Sequence, residues 1–285
     1  TCTIQYEGQG INPQIRSYLS LAGSMFMYLL VLIYGVQVMK GVMEEKNNRI
    51  IEIILSSVRP VKLLWGKIIG IGLVGITQFT IIIVVSIMFL GLIKNVINID
   101  ASDVVERQIQ TMDVNGNISE NIIPKLSFEE IDAIRSIEDL KNYLPTFILV
   151  MPFLFVGGYL LYASFFAAVG SASNPDTDTQ QFILPITIPI IISVFIATTI
   201  MNNPSSDLAF YTSMFPLTSP VVMAARLPYI NWGSEWWQIL TAITLLFGSV
   251  WLSTRFAARV YKTAILLYGQ KLSYKNIWKW YKQSN

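Results

Sequence analysis

Apolar and polar positions along this chain are sorted into long blocks. Five stretches, 17 to 39, 68 to 93, 143 to 170, 181 to 201 and 237 to 254, together hold 116 residues without one Asp, Glu, Lys or Arg. Each is 18 to 28 residues long, enough to cross a hydrocarbon core of roughly 30 Å at about 1.5 Å per helical residue. Backbone in hydrocarbon must satisfy its own hydrogen bonds, which a helix does within one segment. The pattern predicts an all-α polytopic membrane protein with five visible spans.

The connectors carry their own patterns. After the first block, Glu44, Glu45, Lys46, Asn47, Asn48 and Arg49 give way to Ile50, Ile51, Ile53, Ile54 and Leu55. On a helix Ile50, Ile53 and Ile54 share a face, while Glu45, Arg49 and Glu52 form a polar ridge with an i,i+4 ion pair. Arg59-Pro60 ends it. This predicts a short amphipathic helix over 44–57 along the membrane surface; composition alone favours a plain connector. In segment 94–142, Ser127-Phe-Glu-Glu130 is a capping box, and Ile131, Ile134, Ile137 and Leu140 support a helix leading into the third span. Asn115-Gly116 marks a turn. Within 202–236, Phe215-Pro-Leu-Thr-Ser-Pro220 precedes Val221 to Ala225, a run too short to span, which predicts a re-entrant or interfacial helix. Trp232, Trp236 and Trp237 mark a membrane boundary. In the tail, Lys271, Lys275, Lys279 and Lys282 form one helical stripe and Tyr274, Ile277, Trp278 and Tyr281 another, as in a helix lying on anionic lipid.

Charge orients these blocks. The segment 40–67 and the tail from Arg255 hold 13 of the 20 basic residues and three of the 18 acidic ones, so the positive-inside rule places both in the cytoplasm. Residues 1–16, 94–142 and 202–236 then lie outside, and 171–180 returns inside although its charges are Asp176 and Asp178. The domain layout is an extracytoplasmic 1–16, a permease-like body over 17–260 with an outside insertion at 94–142, and a basic cytoplasmic tail at 261–285. An outside start at Thr1, with no initiator methionine and no cleavable signal pattern, leads us to expect upstream sequence with at least one earlier span.

Composition narrows the chemistry. Apolar residues make up 53% and charged residues 13% of the chain, and there is no histidine. Ser-His-Asp triads, HExxH zinc sites and imidazole relays are therefore impossible within it. A lone Cys2 forms no internal disulfide or CxxC site. Gly70-Ile-Gly72-Leu-Val-Gly75 spells a dinucleotide fingerprint without its strand-turn-helix context, which points to close helix packing. Gly66-Lys67 lacks the rest of a P-loop, so nucleotide chemistry belongs to another subunit. No metal site and no nucleic-acid partner are expected. Spans free of ionisable groups argue against a proton-coupled carrier and an intramembrane aspartyl protease. The polar groups at depth are neutral: Thr77, Gln78, Thr80, Ser164, Thr187, Ser193, Thr198, Thr241 and Thr244. Among them Thr77, Gln78, Thr80, Ser193 and Thr198 are candidates for a substrate path. Pro145, Pro152, Pro185 and Pro189 predict kinks or broken turns.

The run Glu44 to Ser57, followed by Leu63-Leu-Trp-Gly-Lys67, resembles the signature after the second span of ABC type-2 exporter permeases, in the branch that includes NatB-like sodium-efflux permeases. Asn174 to Gln181, Phe215 to Arg226, and Arg259-Val-Tyr-Lys262 through Gly269-Gln-Lys271 match in the same order. The resemblance covers residue 17 to the end. It implies a six-span half-transporter of the inner (cytoplasmic) membrane of a bacterium, paired with a second permease copy and with cytoplasmic ATPase subunits. Those subunits would bind ATP and Mg; this chain would bind no cofactor and catalyse no reaction. The 44–57 helix becomes a coupling helix, with Glu44, Glu45, Lys46, Asn48, Arg49 and Glu52 as candidate ATPase contacts. Asn174, Asp176, Gln180 and Gln181 form a possible second contact. Five of the six spans are visible, and the outside insertion is larger than a simple turn. A membrane receptor or scaffold using 94–142 is one alternative function, and an ion channel another. Sodium, lipid, peptide and drug-like cargo all stay open.

Overall fold

The computed structural model describes residues 13–48, 58–97, 128–173, 180–231 and 233–265. Helix α1 (Pro13–Asn47), α2 (Pro60–Ile97), α3 (Phe128–Ala172), α4 (Gln180–Asn202), α5 (Asp207–Met214), α6 (Ser219–Arg226) and α7 (Trp236–Ala264) follow in order, with a 3₁₀ turn at Leu227–Tyr229. Five of them, α1, α2, α3, α4 and α7, are long and apolar enough to cross a membrane. No strand occurs among the described residues. The all-helical five-span fold read from the charge-free blocks is the one observed.

The helices outrun the blocks that announce them. The first block ends at residue 39, yet α1 continues to Asn47, and the Asn48 amide still donates to the Glu44 carbonyl at 3.0 Å. Glu44, Glu45 and Lys46 therefore belong to the last turns of a spanning helix, not to the start of a separate amphipathic one. Nothing between 39 and 47 removes an amide from the ladder, since Gly41 is tolerated and no proline intervenes. Residues 49–57, where the rest of the amphipathic pattern falls, lie outside the described residues, as do the Asn115-Gly116 turn and the tail stripes. The helix announced by the capping box begins at Phe128 and runs unbroken into the third span. Pro145 and Pro152 lie inside α3, and Pro185 and Pro189 inside α4, without ending either helix. Pro60 opens α2 at a position where a missing amide costs nothing.

Helix α3 is the axis of the bundle and touches α1, α2, α4, α6 and α7. In lipid the association of such helices rests on packing and interhelical hydrogen bonds rather than on escape from water. Small residues on α3 set the distances: Ala163, Ala167, Ala168 and Ala172 are buried. At Gly170 a Cβ would come within 2.8 Å of the Met39 carbonyl oxygen and 3.2 Å of its Cα, so the α1 and α3 backbones meet there. The fingerprint-like glycines divide by face. A Cβ on Gly72 would lie 2.8 Å from Tyr159 and one on Gly75 2.7 Å from Phe155, whereas Gly70 has no neighbour within 4 Å. Close packing thus holds for Gly72 and Gly75. Gly70 corrects the expectation, because two residues along a helix turn about 200°.

The short run between the last two spans forms a hairpin, α5 to α6. Ser206 caps α5 by accepting from the Ala209 amide at 3.3 Å. All eight residues of α6 are buried, against α1, α3, α4 and α7. Two contacts fix its depth. Tyr162 donates to the Leu217 carbonyl at 2.7 Å, and a Cβ on Gly158 would touch Pro220 at 2.8 Å. Gly158 sits midway along the span Pro145–Ala172, so the hairpin tip reaches the middle of the bundle. This depth fits a re-entrant hairpin better than an interfacial one; at its tip Thr218 is buried while Phe215 is 54% exposed. At the other side of the hairpin, Ser17 and Tyr229 hydroxyls lie 3.4 Å apart. Trp236 and Trp237 open α7 half-exposed, as a boundary belt requires; Trp232 lies outside the described residues.

Candidate functional site

The end of the bundle at which α1, α3 and α7 finish and α2 begins is joined by two lysines. Lys46, in the last turn of α1, is 1% exposed. Its Nζ donates to the Ser171 carbonyl at 2.6 Å and to the Ala264 carbonyl at 3.1 Å. Both acceptors sit in the final turn of their helices, α3 and α7, where carbonyls lack intrahelical partners and the helix dipole is negative. One ammonium therefore ties three helix ends. Beside it, Lys67 of α2 donates to the Gly41 carbonyl at 2.6 Å and pairs with Glu45 Oε1 at 2.6 Å. The side chains of Lys67 and Glu45 are 13% and 27% exposed, sheltered enough for the pair to escape full solvent screening. Together the two lysines fasten the tip of α1 to the ends of α2, α3 and α7.

This geometry redistributes the residues singled out in the sequence. Glu44 and Asn48 are exposed at the tip of α1. Glu45 faces α2 and pairs across helices with Lys67; Arg49, its i,i+4 partner in the sequence reading, lies outside the described residues. Lys46 is turned inward, so its ammonium is not part of the surface. Arg49, Glu52, Asn174 and Asp176 lie outside the described residues, and Gln180 and Gln181 open α4. Sequence reading missed Lys67 as a partner and both carbonyl acceptors. Lys67 carried a weak signal as a cation in the first turns of the next span; a backbone carbonyl exists at every residue and carries none.

The neutral polar groups at depth are largely occupied by their own helices. Thr77 and Thr80 are exposed on α2 and donate to the Val74 and Ile76 carbonyls; Ser193 and Thr198 on α4 donate to Ile190 and Phe195. Gln78 differs, because Tyr34 of α1 donates to its Oε1 across the α1–α2 contact. Tyr34 also stands in a ladder of rings with Phe155 and Tyr159, which Phe79 and Phe26 continue. A buried cation was also missed. Arg226 closes α6 at 6% exposure, donating to Ser213 Oγ at 2.6 Å and Gln238 Oε1 at 2.8 Å. Burial lowers its hold on the proton while nearby Glu235 opposes that shift; a guanidinium stays charged throughout. Arg226 binds the hairpin to α7. No group of acidic, cysteine or histidine side chains among the described residues is arranged to hold a metal ion.

Comparison with known proteins agrees with these features. The chain is 27% identical over 251 residues to the uncharacterized protein YhaP of Bacillus subtilis (strain 168), a match covering 88% of this chain and 52% of YhaP. It is 25% identical over 258 residues to the uncharacterized protein MJ1024 of Methanocaldococcus jannaschii, covering 89% of this chain and 51% of that protein. The chain thus spans about half the length of these curated relatives. No solved structure matches it. The model of the ABC-2 family transporter proteins matches residues 3–259, which takes in the re-entrant hairpin and both lysines, and so the chain belongs to the ABC-2 transporter family as a multi-pass membrane protein.

Proposed function

We propose that this chain is the permease subunit of an ATP-driven exporter, with ATP and Mg bound and hydrolysed on separate cytoplasmic ATPase subunits. In this reading the Lys46 end faces the cytoplasm of a bacterial cell, a second permease copy completes the pathway, and segment 44–57 seats on the ATPase. Asn174, Asp176, Gln180 and Gln181 supply a second contact. The observation that carries the reading is the two-lysine joint. A push on the segment after Asn48 enters α1 along a continuous helix, and the joint gives it a direct route into α2 through Glu45 and Lys67 and into α3 and α7 through Lys46. Nucleotide-driven closure then selects between bundle arrangements because the contacts at this joint differ between them. The chain itself performs no covalent step. The NatB-like resemblance points to sodium as one cargo, although the deep polar groups described are neutral and largely bonded already, a poor match to the several convergent oxygens a cation requires.

The test uses the full-length permease co-expressed with an ABC ATPase subunit from the same genome. Glu44, exposed at the tip of α1, and Arg49, in the proposed contact segment, are the positions to change, since Glu45 and Lys46 also hold the bundle together. Glu44→Lys with Arg49→Glu is expected to abolish co-purification and cargo-stimulated ATP turnover while the permease stays inserted and monodisperse. Unchanged co-purification with unchanged turnover would overturn the reading.

A further inference from the structure

Away from the two-lysine joint, towards the Gln14 end, helices α1, α2 and α3 part around an open cavity of about 430 Å³, within the size range of small-molecule sites. Its lining is almost wholly hydrocarbon and includes Gly23 and Phe26 of α1, Ile83 and Ser86 of α2, and Met151 of α3. The one hydroxyl, on Ser86, already donates to the Ile82 carbonyl at 2.8 Å. The floor is aromatic: Phe26 meets Phe79 at 5.8 Å between ring centres, and Phe79 stacks on Phe155 behind it at 6.2 Å. Behind Gly23 the wall is shut, because a Cβ there would lie 2.9 Å from Met151 and 3.0 Å from Phe147. The rim is continuous with the lipid-facing surface, as Ile82 and Ile148 line the cavity and remain over a third exposed. Such a space offers water nothing and offers a polar ligand no partner. One turn beyond the cavity on the same side of α1 stands Arg16. It places a cation beside that end of the cavity.

We propose that this cavity holds the hydrocarbon chain of an anionic membrane amphiphile, with the head group beside Arg16, and that such amphiphiles are the exported cargo. The chain enters sideways from the bilayer, lies on the Phe26–Phe79 floor, and exchanges hydrocarbon for hydrocarbon at little cost, while Arg16 supplies the preference for negative charge. That the occupant is cargo rests on the exporter reading above. Binding does not, and the two are separable by experiment.

The full-length permease is reconstituted without ATPase in phosphatidylcholine vesicles containing a trace of phosphatidylglycerol with a photoactivatable diazirine in its acyl chain, and labelled peptides are mapped. Labelling is expected to concentrate on segments 19–26, 79–86 and 147–151, about tenfold above stretch 240–252 of α7, where Leu240, Leu245, Trp251 and Leu252 are exposed. Ala22→Trp and Ser86→Trp, both at exposed positions lining the cavity, are each expected to reduce it several-fold, about the effect of filling a binding pocket. Val85→Trp, on the outward face of α2, should not. Arg16→Gln is expected to remove the preference over a neutral-head analogue. Uniform labelling of α2 and α7 would mean ordinary boundary lipid and overturn the proposal, as would cross-linking of the cavity to another protein segment. With the ATPase added, phosphatidylglycerol is expected to stimulate ATP turnover in the parent and not in Ala22→Trp; labelled but unstimulated protein overturns the cargo assignment. Loss of ATPase binding, by contrast, leaves the labelling pattern intact and counts only against the coupling reading.

Discussion

Replacing Lys46 by Met keeps the length and much of the volume of the side chain and deletes its three donors. Two of those donors reach the last-turn carbonyls of Ser171 and Ala264. A hydrogen bond from a charged donor contributes about 1.5–3 kcal/mol, and a cation at a helix C-terminus about 0.3–1 kcal/mol per helix. Against a gross loss of about 4–8 kcal/mol stands the relief of desolvation of an ammonium that is 1% exposed, itself several kcal/mol. The net effect is about 1–3 kcal/mol, confined to the joint. Hydrogen exchange reads it locally: amides in the final turns of α3 and α7 should exchange about 5–150-fold faster, while those around Tyr159 keep their protection. Lys46→Arg retains the charge but must seat a planar fork in a site shaped for a point charge, so it should restore only part of the protection. If Lys46→Met is folded and monodisperse and the peptides covering 168–173 and 260–265 exchange as before, the ammonium does not hold these helix ends. The route through it to α3 and α7 then falls.

Two further outcomes test the packing. Gly75→Ala places a methyl 2.7 Å from Phe155 and 3.3 Å from Tyr34 and should lower stability by about 1–3 kcal/mol, whereas Gly70→Ala meets nothing and should be neutral or stabilising by about 0.5–1 kcal/mol; thermal unfolding in one detergent compares them, and equal effects would refute the division by face. Tyr162→Phe removes the donor to Leu217 at a cost of about 0.5–1.5 kcal/mol, so a cysteine placed at Thr218 should react faster with a thiol reagent in that background than in the parent.

The five spans were legible because long runs without charge have no other stable home. Their ends were not, since a charged residue reads the same whether it begins a loop or finishes a helix. Lys46 is the sharpest case: beside two glutamates and two asparagines it reads as surface, and its burial follows from carbonyls contributed by residues 125 and 218 positions away. The glycine run was read correctly as packing but not by face, because a motif is linear and a helix is not. The hairpin was half legible: its length ruled out a span, while its depth is fixed by Tyr162 and Gly158 on a distant helix. Arg226 closes the run read as a re-entrant or interfacial helix, and nothing in its neighbours predicted Ser213 and Gln238 as partners.

The re-entrant hairpin also constrains how the chain is made. Its eight-residue α6 is buried on every position and cannot rest in bare lipid with an open turn at its tip, so α1, α3 and α4 must already stand together when it enters. It leaves the ribosome before α7, whose Gln238 completes the shell around the Arg226 guanidinium. Without α7 that cation keeps only the Ser213 hydroxyl and the Phe210 ring among its described partners. Closure of the bundle around the hairpin is therefore expected to wait for the last span, which brings Gln238.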